Sequence, residues 1–466
     1  MKAKAPLFSI VMPTRNRAHI LKNALRSALD QTFEDYEIVV MANNCHDNTR
    51  EVVESLATSR VRYYETDKTL SMPDNWEHAW SKAEGEYVIY LPDDDALVPT
   101  ALHLLAEKAL HGNPPVISWE DAIYYYPDDS GQTDQQNLLL LNYFGNSLIE
   151  DVDAKILLEE LASLEFSWTA SIPKMNNCAV NRAFWDQWRN QLGRIFFPLA
   201  PDYSFGWIST QICQYIRIVR RPLTVRGISE NSIGSDANLG KAGQDFFKEF
   251  NQDDFFSDSP IDLATSMNII FATFNQINRE LTKCGVVPKQ IENKTLIYAL
   301  AKQVSEFRHL LSDYRKYSQI LVKKAQEISA EFGNIINTLI TNEPTKEKVQ
   351  SALAMQNHTR KSTLAFLPSL KSAMLTNQND LASVLCKLGL RDDAFTDPHW
   401  SCIYVFGDKI NTHNIYEISK CVNSYYDLLF NNRIKQSTAQ EVTFATRVFN
   451  YAKRKIYMAM KLGITA

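Results

Sequence analysis

The sequence predicts an α/β fold, with a mostly parallel sheet flanked by helices over the first half and an all-helical C-terminal domain after it. Three observations carry this reading. Short β-branched and aromatic runs alternate with helical periodicity up to about residue 120. Polar turns (PTRNR, ANNCHDN and PDDD) follow three of those runs directly. Beyond residue 245 the chain keeps only 5 of its 15 glycines, and its apolar residues recur at helical spacing.

Taken in order, Phe8–Met12, Glu37–Met41, Val61–Tyr64 and Tyr87–Leu91 read as buried strands, because branched and aromatic side chains pack well on a pleated surface. Between them Ile20, Leu21, Ala24, Leu25, Ala28 and Leu29 share one helical face. Val52, Val53 and Leu56 share a second, and Trp76, Ala79, Trp80 and Ala83 a third. Helices of this length act as crossovers, so the strands are expected to run parallel with both faces covered and ligands at their carboxyl ends. In the middle, 116–119, 123–126, 177–180 and 215–219 read as extended, and 183–191 and 203–214 as helical. The Gly/Ser/Asn-rich segment Gly227–Gly243 reads as a mobile loop or junction. From Phe246 onward, periodicities such as Leu296–Leu321 predict helices. The last of them, from Val442, carries Arg447, Lys453, Arg454, Lys455 and Lys461 without an acid.

At 466 residues the chain is long enough for two or three domains with cores of their own. Its 45% hydrophobic and 22% charged residues are those of a globular protein. A net charge of −5 supplies no basic field, which argues against nucleic-acid binding. The seven cysteines form no CxxC pair, so neither a zinc knuckle nor a disulfide framework is expected, and they read as reduced thiols of a cytoplasmic protein. No apolar run approaches the roughly 20 residues that span a bilayer. The basic start MKAKAPLFSIVMPTRNR merges into a strand rather than forming a leader.

The sharpest chemical feature is the run Asp93-Asp94-Asp95, directly after the fourth strand. Three carboxylates at a buried strand end need compensation, and a divalent cation completed by a diphosphate is one natural neutraliser. A solvated acidic turn capping the next helix is the plainer reading of the triplet taken alone. Its context is more specific. The order strand–PTRNR–helix, strand–ANNCHDNT–helix, then NWEHAWSKAEGEYVIYLPDDD resembles the N-terminal half of the family 2 glycosyltransferases with the GT-A fold. Pro13, Thr14, Asn16, Arg17, Asn43, Asp47, Thr49, Asn75, Ala83, Gly85, Tyr87, Leu91, Asp94 and Asp95 match the family's pattern. The resemblance covers residues 7 to 112 and fades towards 235.

What the resemblance implies is an inverting transfer of a sugar from a nucleotide-diphosphate donor, a UDP-sugar first of all. The acceptor would be a saccharide or lipid-linked saccharide, in bacterial-type surface polysaccharide synthesis, with Mn²⁺ or Mg²⁺ as cofactor. Residues 1–244 would form the GT-A domain, with a nucleotide-binding half to about 120 and an acceptor half from about 121, and 245–466 the helical domain. Pro13, Thr14 and Arg15 would border the base, Arg15 standing where relatives often carry an aromatic and offering a planar guanidinium to stack. Asn43 stands where an Asp is frequent; its amide carbonyl can accept from a uracil imide with less charge assistance. Asp93 and Asp94 would reach the ribose and the metal, and Asp95 is the first choice as direct ligand, while Pro92 replaces an Asp common in the family. The base would be Asp202 in PLAPDYSFGW, a residue that equally suits a helix N-cap; Asp186 and Glu165 are weaker rivals. Arg226, Asn231 and Ser232 would lie on a segment closing over the diphosphate. No QxxRW signature follows, so single rather than processive transfer is expected. The basic last helix would either touch the cytoplasmic face of a membrane or pack as a solvated helix. Two other readings are a nucleotidyltransferase, disfavoured because PTRNRAH has no glycine to cradle a phosphate, and a helical interaction protein with a degenerate catalytic domain, disfavoured by the intact acidic run.

Overall fold

The computed structural model describes residues 4–126, 137–141, 148–164, 172–228 and 255–341, with short stretches at 395–397, 402–406 and 414–427, isolated positions within these ranges excepted. The chain begins β1 (Phe8–Thr14), α1 (Ala18–Leu29), β2 (Tyr36–Ala42), α2 (Thr49–Leu56), β3 (Val61–Glu65), α3 (Met72–Trp80) and β4 (Tyr87–Tyr90). Strands β3, β2, β1 and β4 lie side by side and parallel, as the alternation of strand and helix requires. The runs of β1, β2 and β4 are largely apolar because both faces are covered. Phe8, Ile10 and Met12 of β1 enter one apolar cluster and Val11 the other; Ile38 and Val40 oppose Val39 and Met41 in the same way on β2. The outermost strand, β3, is only half buried, unlike the fully buried strand the sequence suggested.

After β4 come β5 (Ala96–Leu97), α4 (Ala101–Leu104, continued by a wide turn at 105–109), β6 (Val116–Tyr125), β7 (Asn137–Leu141), β8 (Ile149–Asp153), α5 (Ala154–Ala162), β9 (Cys178–Asn181), α6 (Arg182–Leu192), α7 (Pro201–Ile212) and β10 (Tyr215–Ile228). The two extended runs expected at 116–119 and 123–126 are one strand, β6. The sheet turns antiparallel here: β9 sits between β4 and β6, antiparallel to both. Only β10 runs parallel to β6, with an irregularity between Val219 and Thr224. The parallel reading therefore holds for the first four strands and gives way to a mixed sheet.

The C-terminal half is helical over α8 (Ser266–Lys283), α9 (Asn293–Glu306), α10 (Tyr314–Ile328) and α11 (Ala330–Thr341). Two short strands, β11 (Phe395–Asp397) and β12 (Cys402–Phe406), then extend the sheet beyond β7, a feature an all-helical reading does not contain. The single periodicity at 296–321 is divided between α9 and α10. The apolar cluster under α3, α5 and α7 runs on without a break into α8–α11, through Phe271, Phe274, Leu300, Leu321 and Ile336. The basic helix expected from Val442, and nearly all of the loop expected at 227–243, lie outside the described residues.

Candidate active site

The site gathers at the carboxyl ends of β1 and β4, where a parallel sheet presents its loops. The loops after β1 and β2 are stitched together by their polar residues. Asn16 and Asn44 take the left-handed conformation that Asn tolerates, with φ of 54° and 47°. Asn16 Oδ1 accepts from the backbone N–H of His46 at 2.8 Å. Asp47 accepts from the Ala18 N–H at the start of α1 (2.9 Å) and from the Thr49 hydroxyl. Burial alone would push the Asp47 carboxyl up, but these hydrogen bonds hold it below its usual value.

Thr14 and Asp93 meet: the Thr14 hydroxyl donates to Asp93 Oδ2 at 2.7 Å. Arg17, one turn of chain further on, spreads its two terminal nitrogens over the acidic turn, Nη1 on Asp93 Oδ1 at 2.7 Å and Nη2 on Asp94 Oδ2 at 2.9 Å. Compensation of the first two carboxylates thus comes from within the protein, where the sequence pointed to a cation. Burial raises the Asp93 carboxyl to about 7, against the pull of Arg17 and with the push of Asp94. Both Asp93 oxygens are engaged, so of the two expected ligands Asp95 is better placed to take a cation.

Asp95 is 2% exposed, and its Oδ1 accepts from the backbone N–H of Gly227 at 2.9 Å. Burial, then Asp94, push its carboxyl well up. Strand β10 comes this close because residue 227 has no side chain: a Cβ there would stand 2.0 Å from the Asp94 carbonyl oxygen. The Tyr126 hydroxyl donates to that same carbonyl at 3.1 Å.

Arg226 links this turn to the expected base. It stands on β10 rather than on a loop, 11% exposed, ion-paired to Asp121 of β6. Asp121 also accepts from Thr224, whose hydroxyl oxygen accepts from Trp119 Nε1 at 2.9 Å. The charges that act on Arg226 include Asp121, Asp95 and Asp202. Asp202 lies in the first turn of α7, behind Pro201, with Ala200 at the N-cap; its carboxylate is therefore not the cap the sequence allowed. Burial raises it, while Lys174, the first-turn N–H groups and Arg226 favour its charged form.

The other expected residues fall as follows. Pro13 is buried at the end of β1 and Arg15 is exposed beside it. The Asn43 amide clamps Leu70, donating to its carbonyl and accepting from its N–H, both at 2.8 Å, with a further 3.3 Å bond from Thr66. Asp186 is away from the acidic turn, on α6, accepting from Trp80 Nε1 at 2.8 Å. Asn231, Ser232 and Glu165 lie outside the described residues. Arg17, Asp121 and Lys174 belong to the site but were not singled out for it. An acid inside the apolar run VISWEDAIYY is a signal that could have found Asp121.

Among the described residues, no three His, Cys, Asp or Glu side chains form a complete metal cage. The donor chemistry nevertheless suits a hard cation. Fully ionised, Asp93, Asp94, Asp95 and Asp121 outnumber the cations that face them among the described residues, Arg17, Arg226 and Lys174, and Mg²⁺-type sites in phosphate chemistry commonly use one or two carboxylates.

Residues 9–160 match the family model described as Glycosyl transferase family 2. The GalNAc(5)-diNAcBac-PP-undecaprenol beta-1,3-glucosyltransferase of Campylobacter jejuni is 36% identical over 110 residues, 23% of this chain and 36% of that protein. The UDP-Glc:alpha-D-GlcNAc-diphosphoundecaprenol beta-1,3-glucosyltransferase WfgD of Escherichia coli is 27% identical over 107 residues, 23% of this chain and 42% of that protein. The chain thus spans about two-fifths or less of the length of these relatives. The solved structure of S. aureus TarS 1–349 with UDP-GlcNAc aligns over 76% of this chain and 92% of its own at 15% identity, with a TM-score of 0.40, too low to add to the strand order. Residues 9–160, which hold the parallel strands β1 to β4 and the acidic turn at their carboxyl end, are thus the part of the chain that is similar to glycosyl transferase family 2.

Proposed function

We propose that the protein transfers a sugar from a nucleotide-diphosphate donor, a UDP-sugar, to a hydroxyl of a saccharide or lipid-linked acceptor, with inversion. The observation that carries this reading is the placement of Arg226, ion-paired to Asp121 and acted on by both Asp95 and Asp202, so that the acidic turn and a separate half-buried carboxylate share one site. Matches to enzymes whose names specify UDP-Glc and undecaprenyl diphosphate acceptors support the donor and acceptor classes, and similarity to the putative colanic acid biosynthesis glycosyl transferase WcaA of Escherichia coli supports a place in surface polysaccharide synthesis.

In this reading Thr14 and Arg17 hold the acidic turn in shape, and the loops after β1 and β2 border the base. Asp202 accepts the proton of the acceptor hydroxyl as its oxygen bonds to the sugar's anomeric carbon; the bond from that carbon to the diphosphate breaks on the opposite face. Mn²⁺ or Mg²⁺, held by Asp95 with help from Asp94, would supply the positive charge that a departing diphosphate needs. The described residues contain no helix long and apolar enough to cross a membrane; the basic segment after Val442 is proposed as the contact with a lipid surface that carries the acceptor. The helical half, 245–466, is proposed as a support for the catalytic half.

The test is hydrolysis of UDP-glucose and UDP-GlcNAc with Mn²⁺ present. The wild type is expected to release UDP, and Asp202→Asn to bind UDP normally while losing at least 100-fold in turnover. Near-normal turnover in Asp202→Asn would exclude that residue as the base. Release of pyrophosphate in place of UDP would favour a nucleotidyltransferase.

A further inference from the structure

Lys174 is a buried cation that the proposed transfer does not itself employ. It is 3% exposed, directly before the short turn Met175–Asn177. The turn fixes it: the Lys174 N–H donates to Asn177 Oδ1 at 2.6 Å, and Asn177 Nδ2 donates in turn to the carbonyls of Trp119 (2.9 Å) and Ile172 (3.2 Å). On the other side α7 presses against the same segment. Gly206 approaches so closely that a Cβ there would stand 2.2 Å from the Pro173 carbonyl oxygen. The Lys174 ammonium lies 5.6 Å from the centre of the Tyr203 ring, beside Asp202.

The charged and titratable groups facing Lys174 come from every neighbouring element: Arg226 of β10, Asp121 of β6, Cys178 of β9, and Asp202 and Tyr203 of α7. Arg226 is committed to Asp121 by a direct ion pair. The Lys174 ammonium, among the described residues, has no such partner within ion-pair distance. An ammonium without such a partner in a low-dielectric setting acts most strongly on nearby carboxylates; of the two that face Lys174, Asp121 is paired with Arg226, and Asp202 has no ion pair among the described residues.

We propose that Lys174 is a positioning residue for the base, its buried ammonium keeping the Asp202 carboxylate ionised and ready to accept the acceptor's proton. This rests on the reading of Asp202 as base. Lys174 keeps its own proton throughout; the hydroxyl proton moves to Asp202. Burial, then Arg226, lower the lysine to about 8, so it remains mostly charged at neutral pH and loses its hold on Asp202 in mildly alkaline solution.

The experiment is a pH titration of the full chain, labelled with ¹³C at the aspartate carboxyl carbons and free of ligands, with the Asp202 resonance identified by its loss in Asp202→Asn. In Lys174→Met the Asp202 midpoint is expected to rise by at least one pH unit, a tenfold change in proton affinity, whereas Lys174→Arg restores it to within half a unit. An unmoved midpoint in Lys174→Met overturns the proposal. In the unaltered chain the same resonance should show a second inflection near pH 8, as Lys174 deprotonates, and a flat trace there overturns the proposal equally, whether or not the Met variant folds. Near-normal UDP-glucose hydrolysis by Asp202→Asn, alongside a shifted midpoint, would instead remove the base reading and leave Lys174 as an electrostatic partner without a catalytic consequence.

Discussion

The Asp93 carboxyl lies 5% exposed between the Thr14 hydroxyl and Arg17. Water is replaced there by one guanidinium and one hydroxyl, which is less than a free carboxylate enjoys in solution, and Asp94 adds repulsion. Burial therefore wins and the folded-state value rises to about 7. A carboxyl that binds its proton more readily in the folded state stabilises that state increasingly as pH falls from above 7 towards the unfolded value. Relative to Asp93→Asn, the wild type without ligand is expected to gain on the order of 1–2 kcal/mol between pH 7.5 and 5.5. Parallel stability curves for the two proteins, measured by urea unfolding at each pH, would show that Asp93 titrates as it does in water. Most of this residue-level arrangement was legible in part only. DDD after a strand marked the turn, but nothing in PTRNR shows that its second arginine, two positions after Arg15, would be the one that grips two of the three acids.

Strand β10 is what closes the site at the level of elements. It brings the Gly227 N–H onto Asp95 and Arg226 onto Asp121, and it needs the bare backbone at 227 to come so near the acidic turn. Gly227→Ala is expected to push the strand off the turn, costing roughly 1–3 kcal/mol of stability and at least tenfold in affinity for UDP. Wild-type melting temperature and UDP affinity in this variant would show that the turn does not depend on β10. The sequence made β1, β2 and β4 readable because each is a largely apolar run buried on both faces, a pattern the covered parallel sheet imposes, whereas β3 was legible from its branched and aromatic residues although it is only half buried. β10 was legible only to Val219. Arg220, Arg221 and Arg226 interrupt its apolar character, and they are there because each meets an acid or a polar partner: Glu120 and Glu150 on neighbouring strands, Asp427 and Asn423 on the segment 414–427, and Asp121 on β6. Two-residue β5 has no periodicity to read. The pairing of β11 and β12 with β7 is a long-range choice of partner that local pattern does not encode.

At the scale of the whole molecule, the helical half and the sheet share their packing. Phe274 of α8 is fully buried and stacks on Trp207 of α7, ring centres 4.1 Å apart and planes 8° from parallel. Trp207 Nε1 donates to Asn278 at 2.8 Å, and Asn278 Nδ2 donates to the Lys289 carbonyl at 2.8 Å. The helix that presents Asp202 is thus braced from the far half of the chain. A second brace comes from 414–427, whose Ile415, Ile418 and Val422 enter the apolar cluster under α1 and α4 while Asn423 accepts from Thr100 at 2.6 Å. Phe274→Ala is expected to cost about 3–5 kcal/mol and to lower one shared calorimetric transition. Two separate transitions, only the later part of the chain affected, would show that the halves unfold independently. The account as a whole is tested most directly by titrating UDP calorimetrically into the wild type and Asp95→Asn, each with Mn²⁺ and then with EDTA. The expected result is binding by the wild type that weakens at least tenfold when the metal is chelated, and an Asp95→Asn protein indifferent to the metal. Equal UDP affinity in all four titrations would contradict the assignment of the acidic turn as the place where cation and diphosphate meet.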